Sequence, residues 1–392
     1  MVTDWSGFAA TGHWDGCFDA KGLQAWARHL RAKLRAPEVS LGLVFMSPRL
    51  FPHAEEVLET LRVDGQALLL VGCSGNGLLA ADQEYEENAG LAVGLYYLPG
   101  GRLRAFHFDQ PRVEAADGPA FWHVETGVSE SSTNGWLAFI DPFHLDSEAW
   151  LRQWNEAYPG VPVLGGLASG RPSEQRRQVY LNSEVWEEGG VAVSFSGEVS
   201  LSGVISQGCS PFGDTWTITK VERNVIREIG GRPAYVVLVD TISKLAQEQR
   251  QIAQQNPFIG LASNEYQEEF RRGDFLVRNL LGGDPRSGAL VVGALPRAGQ
   301  TLQFHCSDPV AAAIDFRAAL EEARRRLAGS TVYGGCLCTC AGRGRHFFGK
   351  PHHDAALIQS RLGPLGLTGV FCQGEIGPVG DRIGRASCRE RV

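Results

Sequence analysis

Apolar residues follow two kinds of pattern along the chain, one typical of helices and one typical of strands. In residues 20–34 the apolar side chains occupy positions 23, 26, 27, 30 and 34, which is the spacing of one helix face. Similar spacing predicts further helices at 52–61, 147–158, 240–255, 309–327 and 353–362. Short apolar or alternating runs predict strands at 41–46, 67–71, 90–98, 103–108, 136–140, 161–164, 190–195, 214–221, 275–281, 289–295, 301–306, 332–340 and 368–372. This mixture predicts an α+β fold in which mixed or antiparallel sheets pack against helices.

The first part of the chain repeats one order of elements. A strand, a helix, a strand, a glycine-rich turn and another strand occur in residues 39–110 and again in residues 135–200. The alignment places Gly72 on Gly166, 94 residues later. Self-similarity of this kind predicts an internal duplication within the first domain.

The length of the chain predicts two domains, each large enough to bury its own core. We expect a helical lead-in at 1–35, a first domain at 36–228 that contains the duplication, and a second domain at 229–382. A glycine turn at 230–234 lies next to the expected boundary.

The last ten residues, 383–392, do not resemble the rest of the chain. They match one reading frame of a widely used sequencing adapter, so we expect an artefact of the gene sequence and a truncated second domain. Cys388 would then not be a natural residue. The alternative is a genuine basic tail, and resequencing the locus from source DNA distinguishes the two.

The charge of the chain disfavours several kinds of partner. The formal net charge is −7 and no basic stripe is present, so little is gained by binding phosphates and nucleic acid is not an expected partner. No apolar run is as long as a membrane span and no signal peptide precedes the first strand, so we expect no membrane partner. The nine cysteines form no disulfide framework, which favours a reducing cytoplasmic location.

A glycine-rich turn at 72–77 is the first candidate for a ligand site. Its residues Gly72, Cys73 and Ser74 follow a buried strand, where successive backbone N–H groups can bind an anion or a carboxylate. The turn lacks the lysine and hydroxyl residue of a P-loop. The alternative is a tight turn with a purely structural role.

Three thiols share one strand near the end of the chain. Cys336, Cys338 and Cys340 alternate with other residues, so they project to one face. Their spacing does not suit a tetrahedral zinc site, and free cysteines are often buried. We therefore expect core packing with no metal and no cofactor, while a metal or haem site and a redox-reactive thiol remain alternatives.

Arg343 and Glu375 each lie among glycines at a strand end. A guanidinium fork can bind a carboxylate, and with Glu375 and Gly374 nearby the pair would suit a zwitterion such as an amino acid. The alternative is an Arg343–Glu375 ion pair that braces two turns.

No convincing nucleophile motif is present in the sequence, which favours a protein without catalytic activity. Two other function classes remain open. One is a hydrolase or transferase that uses Cys73 or Cys340, and the other is an adaptor that binds a protein partner.

Several glycine-rich motifs together resemble the FIST family of bacterial signalling proteins. They lie at 71–74, 165–170, 206–213, 231–234, 273–279, 340–344 and 374–380. The resemblance implies a sensory module in signal transduction that binds a small ligand, possibly an amino acid, and that acts through an unidentified signalling partner protein. It implies no catalytic residues, and its 273–279 motif adds Asn279 to the candidate ligand-binding residues.

Overall fold

The computed structural model describes residues 7–87, 89–206, 208–255, 257–265, 270, 274–379 and 382–387. Its strands are β1 Ala9–Trp14, β2 Leu41–Met46, β3 Leu70–Ser74, β4 Gly77–Ala80, β5 Gln83–Glu86, β6 Leu91–Tyr96, β7 Gly101–Phe108, β8 Gly135–Ile140, β9 Val163–Leu167, β10 Val179–Leu181, β11 Glu184–Trp186, β12 Gly190–Gly197, β13 Cys209–Glu222, β14 Val225–Ile229, β15 Arg232–Pro233, β16 Pro257–Ala262, β17 Phe275–Asp284, β18 Ala289–Val292, β19 Thr301–Ser307, β20 Gly335–Cys340, β21 Leu367–Cys372, β22 Gly374–Val379 and β23 Arg382–Ser387.

The helices are α1 Ala20–Lys33, α2 Ala54–Val63, α3 Gln110–Ala115, α4 Pro119–Thr126, α5 Ser147–Ala157, α6 Ala234–Ser243, α7 Gln247–Gln255, α8 Pro309–Arg326, α9 Arg345–Phe348 and α10 His353–Leu362. The predicted α+β class, with mixed and antiparallel sheets, is confirmed. The single helix expected at 240–255 is instead two, α6 and α7. The break is stabilised by Arg250, which donates hydrogen bonds to the carbonyls of Ser243 (2.6 Å) and Leu245 (3.0 Å).

The chain forms two compact units that do not follow its sequence order. Over the described residues, unit 1 lies within 7–204 and 320–377, and unit 2 lies within 205–319 and 378–387. A segment late in the chain therefore returns to unit 1. The domain limits expected from the sequence, including the adapter-like tail, stay predictions; residues 388–392 lie outside the described residues.

Unit 1 contains three similar modules, each a pair of parallel strands joined through a helix. Module 1 is β2–α2–β3, module 2 is β8–α5–β9 and module 3 is β20–α10–β21. The first two modules are the duplication that the sequence predicted. The third comes from the returning segment and was not expected.

One glycine in each module faces the neighbouring strand at very short range. In all three modules this glycine lies on the second strand, opposite a residue of the first strand in the parallel register. A Cβ atom at these glycines would overlap the carbonyl oxygen of that partner, so only glycine lets the two strands pair. The Cβ–oxygen distances would be 1.7 Å for Gly72 and Val44, 1.8 Å for Gly165 and Ala138, and 2.1 Å for Gly369 and Leu337.

This register refines the alignment of the duplication by one residue. Gly72 is equivalent to Gly165, because their partners Val44 and Ala138 occupy the same position in β2 and β8. The sequence alignment had placed Gly72 on Gly166, since two adjacent glycines at that point cannot be distinguished by composition alone.

The strand that follows each module pairs with a different module. β4 follows module 1 and pairs with β21 of module 3, β10 follows module 2 and pairs with β3 of module 1, and β22 follows module 3 and pairs with β9 of module 2. All three pairings are antiparallel. The three modules are thereby linked in a closed cycle, and each glycine has an equivalent partner across the exchanged strand: Leu79 opposite Gly369, Tyr180 opposite Gly72, and Ile376 opposite Gly165.

The sheets of unit 1 place these modules around a shared core. One sheet has the order β1-β6-β2-β3-β10-β11, a second includes β22-β9-β8-β12-β7, and a third has the order β20-β21-β4-β5. The central core joins buried residues of all three, including Phe45, Phe139 and Val370. The inner faces of α1 and α2 cover the other side of the first sheet.

Unit 2 is built on one antiparallel sheet in the order β13-β19-β16-β17-β18-β14-β15. Its core contains Ile218, Ile259, Leu290 and Phe304, which are all fully buried. Helix α6 packs against this core through Val237 and Leu238. Among the described residues, the helices of both units fall short of the length or the apolar character that a membrane span requires.

We expect the substitution Gly72→Ala to destabilise unit 1 by about 1–3 kcal/mol or more, because the added methyl group must displace the Val44 carbonyl. Urea unfolding followed by tryptophan fluorescence measures this, since among the described residues every tryptophan except Trp216 belongs to unit 1. Gly7→Ala is the control in unit 1, because a Cβ there would meet nothing within 4 Å. Equal stability of the two variants would contradict the close-approach account.

Candidate functional site

The carboxyl ends of the second strands in the three modules carry one sequence pattern. Each equivalent glycine begins a six-residue segment that has a small residue in fourth place, a polar residue in fifth place and a glycine in sixth place. The segments are GCSGNG at 72–77, GGLASG at 165–170 and GVFCQG at 369–374. The fifth position is Asn76, Ser169 and Gln373 in turn. Ligands of α/β proteins commonly bind outside the carboxyl ends of parallel strands, so these three residues mark a candidate site.

A cleft of about 60 Å³ opens at this point of unit 1. This is room for about four water molecules at ~15 Å³ each. The three polar fifth-position residues all line it, so the cleft lies where the three modules converge. The lining residues are Asn76, Gly77, Glu86, Glu87, Ser169, Gly170, Pro172, Arg177, Ala341, Phe371 and Gln373.

Two buried serines join the turns around the cleft. The Ser74 hydroxyl donates to the Ser169 carbonyl (2.9 Å) and accepts from the backbone N–H of Gln178 (3.1 Å). The Ser169 hydroxyl accepts from the backbone N–H of Asn76 (3.1 Å) and donates to the Phe371 carbonyl. Each hydroxyl thus acts as both donor and acceptor, and together they connect all three modules. Such satisfied buried networks hold a site rigid.

A buried arginine places a positive charge in the wall of the cleft. Arg177 is only 2% exposed, and its guanidinium donates to the carbonyls of Glu174 (2.7 Å) and Arg176 (2.9 Å). It also lies 3.5 Å from Oε1 of Gln373. Gly170 packs directly on it, since a Cβ there would lie 3.0 Å from the guanidinium nitrogen. The guanidinium is therefore fixed in place by the same turns that form the cleft.

The other wall carries acidic residues from the end of β5. Glu86 is half-buried and its carboxylate accepts from the backbone N–H of Arg345 at 2.6 Å, while Glu87 is exposed. The cleft therefore presents positive and negative charge together with three neutral polar groups. Sequence reasoning missed Arg177 and these two glutamates because no local motif marks them.

Three of the predicted site residues lie on β3. Gly72 makes the close approach to Val44, and Ser74 belongs to the hydroxyl network. Cys73 is fully buried in the core, and burial raises the pKa of its thiol well above the usual value. In the described part of the chain none of the three lines the cleft; they support the turn that carries its lining residue Asn76.

Two more predicted residues, Gly374 and Glu375, begin β22. They pair with Leu167 and Gly166 of module 2, so they lie in the strand exchange next to the cleft. Asn279 lies on β17 in unit 2, where its backbone pairs with Phe258. The ligand-binding role of these residues stays a prediction.

Arg343, the remaining predicted residue, takes part in a buried ion pair that the sequence did not suggest. Its Nε and Nη2 atoms donate to the two carboxylate oxygens of Asp354 at 2.6 and 2.9 Å, and the side chains are 12% and 4% exposed. Although burial alone would lower it, the pKa of Arg343 is raised by Asp354, with a smaller contribution from the charge of Glu375. The ring of Phe348 lies 4.9 Å from the guanidinium and stacks on His353.

The carboxylate of Asp354 has three hydrogen-bonding neighbours in this network. Besides Arg343, its oxygens contact the ring nitrogen of His353 (2.9 Å) and the hydroxyl of Thr339 (3.2 Å). Burial opposes ionisation, but the hydrogen bonds from His353 and Arg343 outweigh it and lower the pKa of Asp354 to about 2. The carboxylate stays charged because both of its oxygens are satisfied.

A second buried carboxylate, that of Glu84, lies at the N-terminus of helix α10. One oxygen of Glu84 accepts from the backbone N–H groups of Asp354 and Ala355, each at 2.9 Å, which caps the helix. Burial is the largest influence and raises the pKa of Glu84. Glu84 and Glu86 lie on the same strand, so β5 connects the cleft to the Arg343–Asp354 pair.

Within the described residues, no group of three or more histidine, cysteine, aspartate or glutamate side chains is arranged to hold a metal ion.

Comparison with known proteins places this architecture in a family. A family model described as the FIST N domain matches residues 40–232, and one described as the FIST C domain matches residues 234–378. Uncharacterized protein Rv0628c of Mycobacterium tuberculosis is 34% identical over 355 residues, which cover 90% of this chain and 90% of that protein. Uncharacterized protein Mb0898c of Mycobacterium bovis is 31% identical over 358 residues, covering 91% and 90%.

We expect Asp354→Asn to cost about 3–5 kcal/mol of unfolding free energy at pH 7, because it leaves the Arg343 charge buried without its carboxylate. A carboxyl with a lowered folded-state pKa stabilises above its unfolded pKa of about 3.9 and loses this contribution as pH falls. The difference in unfolding free energy between the variant and the unmodified chain should therefore decrease as the pH falls from about 4 to about 2. Denaturation across this range measures it, and a gap that does not change with pH would count against the assignment.

For Glu84, unlike Asp354, we expect the negative charge to destabilise the folded state. A raised carboxyl pKa means that ionisation is unfavourable in the folded state, so Glu84→Gln, which keeps the acceptor oxygen, should be at least as stable as the unmodified chain at pH 7. Glu84→Ala removes the cap and should be less stable than Glu84→Gln by about 2 kcal/mol. The same unfolding experiment compares them, and equal losses in both variants would exclude the capping role.

Proposed function

This chain belongs to the FIST family, whose domains are small-ligand-binding modules of signal transduction, and we propose that its ligand is a small zwitterion of the amino-acid class held in the cleft of unit 1. The observation that carries the proposal is the repeated polar fifth position. Asn76, Ser169 and Gln373 come from three distant parts of the chain and line one cleft.

The charges around the cleft define the class of ligand. The guanidinium of Arg177 is positioned to bind a carboxylate, and the carboxylates of Glu86 and Glu87 are positioned near a ligand ammonium group. The amide and hydroxyl groups of the fifth-position residues can hydrogen-bond either end. Because the cleft has only about 60 Å³, it favours ligands with few heavy atoms or with a side chain that extends to solvent.

The residues expected from the sequence take supporting roles in this proposal. Gly72 allows β3 to approach β2, Gly374 pairs with Leu167, and Ser74 fixes the turn that carries Asn76. Arg343 is paired with Asp354, and a direct role in binding for Arg343, Glu375 and Asn279 is kept as a prediction.

We propose that binding, and not catalysis, is the activity. The thiol of Cys73 is buried with a raised pKa, which disfavours it as a nucleophile. Cys340 accepts a hydrogen bond from the backbone N–H of Gly342 at 3.3 Å, and a reaction at its thiol is the alternative. The ligand-bound protein would act in the cytoplasm on a separate signalling partner protein.

We expect Arg177→Met to weaken binding of small amino acids by at least about tenfold, because a charge-assisted carboxylate contact contributes about 1.5–3 kcal/mol. Isothermal titration with a panel of amino acids, chosen first by thermal shift, measures the affinity. A ligand at 100 times its dissociation constant should stabilise the protein by about 2.7 kcal/mol. Arg176→Met is the matched control, since Arg176 is the exposed neighbour that pairs with Glu187.

Unchanged affinity in a folded Arg177→Met protein would contradict the assignment of the cleft as the binding site. A full panel without any shift would instead contradict the amino-acid class. The corresponding amines that lack a carboxylate serve as a second control, because the two arginine variants should not differ in their response to them.

A further inference from the structure

Module 2 differs from the other two modules in the connection that follows its second strand. Counted from the equivalent glycine, the next strand begins five residues later in module 1, at Gly77, and in module 3, at Gly374. In module 2 it begins fourteen residues later, at Val179. We call the nine extra residues, 170–178, the insertion segment.

The insertion segment carries the positive charge of the cleft. Pro172 and Arg177 line the cleft, and Arg177 is buried although residues 171–173 and 175–176 are exposed. The guanidinium of Arg177 donates to the carbonyls of Glu174 and Arg176, which belong to the same segment. These two bonds move with the segment, so contacts with the rest of unit 1 are needed to hold the guanidinium in the wall of the cleft.

Phe143 supplies such a contact from outside the insertion segment. The central carbon of the Arg177 guanidinium lies over the ring of Phe143, 5.2 Å from the ring centroid. This is within the distance of about 6 Å at which a cation and an aromatic face attract each other. The N–H donors of a guanidinium lie in its plane, so a ring over its face does not compete with oxygen acceptors. Phe143 therefore fixes the plane of the guanidinium and leaves its donors to other partners.

The loop that carries Phe143 is itself fixed on both sides. Before Phe143, the buried carboxylate of Asp141 accepts from the backbone N–H of His144 at 2.6 Å and contacts its ring Nδ1 at 2.8 Å. After Phe143, Asp146 caps helix α5 by accepting from the backbone N–H of Ala149 at 2.9 Å. The ring is thus presented to Arg177 from a loop with a defined conformation.

A second contact of the same kind lies next to the first one along the chain. The guanidinium of Arg176 lies over the ring of Phe51, 5.5 Å from its centroid. Arg176 is exposed and pairs with Glu187, and it is not among the described residues that line the cleft. The two adjacent arginines therefore make similar contacts, but only Arg177 faces the cleft.

We propose that Phe143 is a positioning residue for ligand binding, which holds the Arg177 guanidinium where its Nη2 atom donates to the carboxylate of the ligand. The proposal rests on the function proposed above, in which Arg177 binds that carboxylate. Nη2 lies 3.5 Å from Oε1 of Gln373, which is longer than the usual hydrogen bond of about 2.7–3.2 Å, so a ligand carboxylate can replace this contact. Phe143 does not line the cleft in the described part of the chain, and so it acts through Arg177.

The first test needs no ligand. Trypsin cleaves after Arg177 only when this buried side chain leaves its position, so the cleavage rate follows the population of the opened segment. Phe143→Leu keeps an apolar side chain and removes the aromatic ring, and it should speed this cleavage by about three- to tenfold. Phe143→Tyr should restore the slow rate, because it keeps the ring and the 37% exposure of Phe143 lets the added hydroxyl reach solvent. Cleavage after Arg286, in an exposed turn of unit 2, is the internal control and should be equal in all variants.

The second test measures the affinity for glycine, L-alanine and L-serine by isothermal titration. Ethylamine and ethanolamine are the matched compounds that lack the carboxylates of alanine and serine. Phe143→Leu should weaken binding of the amino acids by about three- to tenfold without changing the response to the amines, and Phe143→Tyr should restore it. Phe51→Leu is the matched control, because it makes the same substitution at the Arg176 contact and should leave these affinities unchanged.

The two tests separate this proposal from the proposed function. Equal cleavage after Arg177 in Phe143→Leu and in the unmodified chain would overturn the proposal, whether or not an amino acid binds. Equal weakening of amino acids and amines, or a Phe143→Tyr variant that behaves like Phe143→Leu, would also overturn it, because the aromatic ring would then have no role through Arg177. If no amino acid binds the unmodified chain, the proposed function fails, and the cleavage rates alone decide whether Phe143 holds Arg177.

Discussion

Three pairs of parallel strands in unit 1 approach so closely that one glycine in each pair lies against a carbonyl oxygen of the neighbouring strand. No other residue fits at Gly72, Gly165 or Gly369, because any Cβ would overlap that oxygen. The contact fixes the register of each pair, and the register fixes where each second strand ends. Since the exchanged strands β4, β10 and β22 link the modules in a cycle, the three strand ends are brought to one place.

The cleft is a consequence of this packing. Four residues after each glycine the chain carries Asn76, Ser169 or Gln373, and the hydroxyls of Ser74 and Ser169 lock the turns between them. Gln373 lies in the segment matched by the FIST C model, whereas the other two lie in the FIST N match. The cleft therefore contains residues from both parts of the family sequence.

Much of the secondary structure could be predicted from the sequence, because the spacing of apolar residues identifies individual helices and strands well. The helix predicted at 353–362 and the strand predicted at 41–46 have the limits that the structure shows. The duplication was also visible, since Gly72 and its counterpart lie in glycine-rich turns that follow buried strands. The third module was missed because only the two glycines, the small fourth residue and the polar fifth residue of 369–374 are shared with the other two segments. A search for a glycine, a small fourth residue, a polar fifth residue and a final glycine would have found it.

The pairing of Arg343 with Asp354 and the position of Arg177 could not be predicted in the same way. Both depend on which strands exchange between modules. Those pairings join distant parts of the chain, and local sequence patterns do not specify them. The most direct measurement of the central claim is a crystal structure of the protein with the amino acid that stabilises it most. The account predicts ligand density in contact with Asn76, Ser169 and Gln373, with the carboxylate directed to Arg177. Ligand density at any other place, with this cleft filled only by water, would contradict it.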